Sequence, residues 1–100
     1  MNVSLTPEAH RDLNDILDRL EAKDPFAARK LAKEFFRKFM LLGVQPGLGT
    51  RTRSGNLRVL PVRRSYRLHY EIVDPVLWIR RIVHTSRHWP GIELPSGRTQ

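Results

Sequence analysis

The sequence predicts an α+β fold: an N-terminal strand and a two-helix hairpin, then a three-stranded antiparallel meander with the helices packed on one face of the sheet. Three observations predict it. Apolar residues recur at helical spacing through the first 43 positions, each run opened by a Pro with a capping residue before it. Beyond position 56 the pattern changes to short runs rich in Val, Ile, Leu and Tyr, with alternating polar residues. Between the two lies a Gly-rich stretch, GVQPGLGTRTRSGN, that suits neither.

In order, NVSL is a short alternating strand. Thr6 is placed to cap a first helix, with Pro7 at its first position and Glu8 in its first turn. Leu13, Ile16, Leu17 and Leu20 form its apolar stripe, opposite Asp12, Asp15, Asp18 and Arg19. Asp24 and Pro25 end this helix and open a second, in which Ala28, Leu31, Ala32, Phe35, Phe39 and Leu42 line one face. These stripes are read as core. Residues 43–56 are read as a loop; it lacks the Lys-Ser/Thr pair of a phosphate-binding loop. LRVLPV (57–62) is a strand whose Pro61 suits an edge or bulge. YRLHYEIV (66–73) and LWIRRIVH (77–84) form a hairpin, with Asp74 and Pro75 at the first two positions of a type I turn. A single domain over 1–90 and a flexible tail over 91–100 follow from the length and the Pro/Gly-rich ending.

The absence of cysteine excludes a disulfide framework and a thiolate metal site. No cofactor and no metal are expected. With no apolar run of membrane-spanning length, a cytoplasmic protein without membrane contact is expected. Charge is unevenly distributed. Residues 1–43 carry eight Lys/Arg against seven Asp/Glu, whereas residues 44–100 carry ten Arg, no Lys and only Glu71, Asp74 and Glu93. Arginine grips phosphates and carboxylates through a planar fork, so this half seeks an acidic partner, either nucleic acid or protein.

Alternation assigns Tyr66, Leu68, Tyr70 and Ile72 to the helix face and Arg67, His69 and Glu71 to the other. A turn spanning Asp74–Leu77 sets Arg67 opposite His84, His69 opposite Ile82 and Glu71 opposite Arg80; a tighter two-residue loop shifts the pairs but leaves the same residues on the same face. Arg67, His69, Arg80 and His84 are then expected to crowd one surface, and Arg81 is left as a charged misfit on the core face. Two readings remain open for that surface: an anion-binding concavity, or a solvated face with a Glu71–Arg80 cross-strand ion pair.

LRVLPV, YRLHYEIVD and IRRIVHTSRHWP, in this order after a strand and two helices, resemble the RelE/ParE superfamily of bacterial type II toxins over roughly residues 3 to 90. The ending with His84, Arg87 and Trp89, and the Arg-Val-x-Pro-Val run at 58–62, resemble the ParE branch. Tyr-Arg-Leu-x-Tyr at 66–70 is shared with the ribosome-dependent RNases of the RelE branch.

The ParE resemblance implies a toxin that stalls growth by binding and poisoning DNA gyrase, and that a cognate antitoxin neutralises in a hetero-oligomer. Arg51, Arg53, Arg67, His84, Arg87 and Trp89 would then be target contacts. The RelE resemblance implies instead cleavage of mRNA on the ribosome, by attack of a ribose 2′-OH on the adjacent phosphate, with Arg58, Arg67, Arg87 and His88 as the candidate set. Leu60 stands where that branch carries its second strand lysine. A non-toxic basic nucleic-acid-binding module is the third reading, and the charge alone supports it.

Overall fold

The computed structural model describes residues 1–86. Arg87, His88, Trp89 and the expected tail over 91–100 lie outside the described residues.

The chain runs β1 (Asn2–Leu5), α1 (Pro7–Lys23), α2 (Pro25–Val44), a 3₁₀ turn (Pro46–Leu48), β2 (Thr50–Arg51), β3 (Leu57–Val62), β4 (Tyr66–Val73) and β5 (Val76–His84). Both helix starts are as expected. Thr6 Oγ accepts from the Ala9 amide and an Asp24 carboxylate oxygen from the Ala27 amide, each at 3.1 Å, with a Pro following each cap. The five strands form one sheet in the order β1-β5-β4-β3-β2. All neighbours are antiparallel except β1, which lies parallel to β5 with Asn2 beside Val76 and Leu5 beside Ile79.

Ala9, Leu13, Leu31, Phe35, Phe39 and Leu42 of the helices meet Leu60, Val62, Leu68, Tyr70, Leu77, Ile79 and Ile82 of the sheet in one core. Full burial of a side chain such as Phe35 or Leu31 contributes roughly 2–3 kcal/mol, so this layer holds the fold.

The structure departs from the expectations in three places. Part of the stretch read as loop is ordered: Pro46–Leu48 forms a 3₁₀ turn and Thr50–Arg51 pairs with Arg58–Val59. Because β2 is so short, Leu60–Val62 is an open edge, and Pro61 stands where no amide is needed. The β4–β5 loop is two residues, Asp74 and Pro75, joined by a cis peptide bond and flanked by the Val73–Val76 pair; Leu77 belongs to the strand.

The third departure has the largest consequence. Between the His69–Arg81 and Tyr70–Ile79 pairs β5 carries one extra residue, Arg80, a β-bulge. The bulge reverses the alternation, so the core positions of β5 are Leu77 and Ile79 before it and Ile82 after it. Arg67 therefore pairs with Val83, and His84 pairs with Tyr66. The predicted gathering of Arg67, His69, Arg80 and His84 on one surface does not occur, because His84 crosses to the helix side and packs edge-on against the Tyr66 ring. Arg81 is likewise no misfit in the core. Beyond Ile79 the strand has lost β1 as a neighbour, and α1 closes the gap. Asp12 accepts from Arg81 Nε (2.7 Å) and Nη2 (3.1 Å) and from the Ile82 amide (2.9 Å). Thr6 adds a bond from its amide to the Ile79 carbonyl and one from its hydroxyl to the Arg80 carbonyl.

Candidate functional site

The sequence-derived site residues fall in separate places. Arg58 pairs with Tyr70 on β4, and Arg67 with Pro61 on β3. Because alternate residues face opposite ways, Arg58 shares the helix side with Tyr70, and Arg67 shares the outer face with His69. These two candidate catalytic arginines are not brought together.

Arg58 is committed locally. Its Nη1 donates to the Gly49 carbonyl at 2.8 Å and to the Gly47 carbonyl at 3.3 Å. Beside it the buried Tyr70 hydroxyl donates to the Pro46 carbonyl and accepts from the Gly49 amide, both at 2.7 Å. Burial pushes the Tyr70 hydroxyl above its ordinary pKa, against the opposing pull of the Gly49 bond and the Arg58 charge. A Cβ at residue 49 would stand 2.7 Å from the Tyr70 ring and 2.9 Å from the Val59 carbonyl, so only glycine lets the loop approach. This latch ties the loop after α2 to the sheet; sequence reasoning found Gly-rich punctuation there but not its tyrosine partner.

Arg51 and Arg53 are exposed beside the start of β3. Arg67 and His84 lie at its far end, where β3 ends, β4 begins and β5 ends. Four residue steps along β3, from 58 to 62, separate the two ends by about 13 Å. The proposed target contacts therefore form two groups. At the far end, the three residues Arg63–Ser65 turn the chain between Val62 and Tyr66, and the Thr85 amide donates to the Ser65 carbonyl at 2.7 Å. His84 is exposed there; its Nδ1 accepts from the Ser86 amide at 3.1 Å and lies 2.7 Å from the Ser86 hydroxyl.

His69 is 2% exposed in the middle of the outer face, opposite Val59 and Arg81. Burial first, then the charges of Arg67 and Arg81, lowers its pKa to about 4, so the ring is neutral at pH 7. The Glu71–Arg80 ion pair is present at 2.7 Å even though the cross-strand neighbour of Glu71 is Trp78, because the bulge carries Arg80 within reach. Among the described residues no group of three or more His, Asp or Glu side chains could hold a metal ion.

A surface that the sequence reading missed lies on α2. Phe36, Met40 and Val44 are 59%, 74% and 79% exposed and stand four residues apart, one stripe along the outward side. Phe26, 64% exposed, lies on the same line five turns before Val44. Arg29, Lys30, Lys33 and Arg37 are interleaved with it, and the Lys30 ammonium sits 5.4 Å from the Phe26 ring. The signal was present in the sequence: α2 carries large apolar residues outside the Ala28–Leu42 core stripe, more than one buried face requires.

A strand and helical hairpin laid on a sheet that ends in an antiparallel meander is the architecture of the RelE/ParE class of small toxins. The family model described as the ParE toxin of the type II toxin-antitoxin system, parDE, matches residues 3–89, and the chain belongs to that family. Among solved structures, the chromosomal ParDE TA system from P. aeruginosa shares the fold at a TM-score of 0.73, with 22% identity over 84% of this chain and 95% of that one. YafQ from E. coli strain BL21(DE3) aligns at 0.54 and 15% identity, over 85% and 93% of the two chains. No curated protein sequence matches this chain. Among the described residues no helix is long and apolar enough to cross a membrane.

Proposed function

We propose that this chain is the toxin of a type II toxin–antitoxin pair that arrests bacterial growth from the cytoplasm by binding and poisoning DNA gyrase, and that a cognate antitoxin neutralises it. Membership of the ParE family over residues 3–89 carries the toxin reading. Binding rather than cleavage is supported by the position of Arg58, which is committed to the Gly47 and Gly49 carbonyls on the face opposite Arg67. Arg51, Arg53, Arg67 and His84, with Arg87 and Trp89, remain the proposed target contacts.

The α2 stripe is the proposed antitoxin site. A run of exposed Phe, Met and Val marks an interaction surface, and its four cations select an acidic amphipathic segment over a second copy of this basic chain. Such a segment would order as it binds.

Induced expression in bacteria, with separate pulse labelling of DNA and protein synthesis, tests the target. DNA synthesis is expected to fall first, with induction of the DNA-damage response. Early loss of translation with mRNA cut at ribosomes would overturn the gyrase reading in favour of the ribosome-dependent RNase, with Arg67 as the first residue to replace. Met40→Glu tests the antitoxin site: growth arrest is expected to persist while neutralisation by the antitoxin is lost.

A further inference from the structure

The β3–β4 turn carries two adjacent arginines that neither the family resemblance nor the target reading used. Arg63 and Arg64 are both exposed, and Arg67 follows on the outer face of β4. Among the described residues none of the three side chains has a hydrogen bond or a carboxylate partner. The nearby acids of the sheet are remote or engaged. Asp74 sits at the opposite end of β4, Glu71 holds Arg80, and Asp12 holds Arg81. The turn itself is fixed by the Val62–Tyr66 pair and by the bond from the Thr85 amide to the Ser65 carbonyl.

Arg63 adds an independent observation. Its φ is +55°, the left-handed region that a Gly or Asn ordinarily fills in such a turn and that a Cβ makes unfavourable. A charged side chain thus stands where the backbone favours another residue, which points to use of the guanidinium. Two guanidinium groups on the turn and a third at the start of β4, with no carboxylate partner among the described residues, offer forked donors to a row of anions. Spaced, singly charged, multidentate anions are the chemistry of a phosphodiester backbone.

We propose that Arg63, Arg64 and Arg67 form a phosphate-backbone contact through which the chain binds nucleic acid without reading sequence. It goes beyond the toxin reading and depends on neither gyrase nor antitoxin. Contacts to three phosphates give a log K against log salt slope of about −2.7 on duplex DNA, and removing two of the arginines removes about 1.8 of it.

The test measures fluorescence anisotropy of the purified full chain against a labelled 20-base-pair duplex, a single-stranded RNA and polyglutamate, from low to high salt. The variants are Arg63→Gly/Arg64→Ser and, as a control of equal charge change, Arg29→Ser/Lys33→Ser on α2. Replacing Arg63 by Gly relieves the turn, so the first double variant is expected to keep the thermal midpoint of the wild type, which a melt verifies. The proposal predicts that the turn variant loses about 1.8 of the slope while the α2 variant loses little, with the duplex and RNA arms naming which nucleic acid is preferred. An equal loss in both variants would reduce the effect to net charge and overturn it. So would polyglutamate binding as tightly as either nucleic acid, which would assign the turn to an acidic protein.

Discussion

Two arginine pairs in this chain look alike as sequence and differ completely as structure. Arg80 and Arg81 occupy the β5 bulge, and each has its own carboxylate, Glu71 and Asp12, at 2.7 Å. Arg63 and Arg64 occupy the β3–β4 turn, exposed and without a carboxylate partner among the described residues. A bulge places consecutive side chains where two different elements supply the acids, whereas a turn tip presents both to solvent. Net charge therefore says little about which cations are available to a partner. The distribution of nine described acids decides it: six of them lie on α1 or its caps, and none lies in the β3–β4 turn.

The comparison can be broken or sharpened by measurement. The largest expected effect is on acid stability. The folded pKa of His69, about 4, lies below the unfolded value of 6.5, so the unfolded chain binds the extra proton first. The contribution is fully present above pH 6.5 and is lost as pH falls from 6.5 towards 4, up to roughly 3 kcal/mol in all. Urea titrations at stepped pH should show this slope, and Arg67→Gln should narrow the window by removing a positive neighbour. Asp12→Ala comes next. It strands the half-buried Arg81 guanidinium and the Ile82 amide and should cost about 2 kcal/mol, lowering the thermal midpoint by roughly 10 °C. Tyr70→Phe leaves the Gly49 amide and Pro46 carbonyl without their partner, for about 1–2 kcal/mol in chemical denaturation. Glu71→Gln frees Arg80 at the surface and should change stability by no more than about 0.5 kcal/mol. If Glu71→Gln matched Asp12→Ala, the two bulge arginines would not differ as their exposure implies.

The helices were legible in the sequence because each position reports on itself: Thr6, Asp24 and the two prolines fix the starts, and the Leu13–Leu20 and Ala28–Leu42 stripes fix the buried sides. The positions of β1, β3, β4 and β5 were legible for the same reason. Register was not. The extra residue at Arg80 is favoured by Asp12, 68 positions earlier in the chain, and no pattern within β5 announces it. His84 was misplaced by that one residue. The two-residue β2 and the Tyr70 latch were missed because they depend on a distant partner meeting Gly49. Of the candidate site, Arg67 and His69 were put on the correct face, whereas Arg58 was grouped with Arg67 although strand parity already separated them.

The parallel pairing of β1 with β5 imposes an order of assembly. β1 cannot find its place early, because its neighbour is Val76–Ile79, more than seventy residues downstream. The α1–α2 hairpin needs only local contacts and forms early, whereas closure of the sheet waits for nearly the entire described chain. During synthesis the outward stripe of α2 is thus on display before the arginine-bearing sheet exists. A partner that recognises the helices meets the protein before the protein is complete.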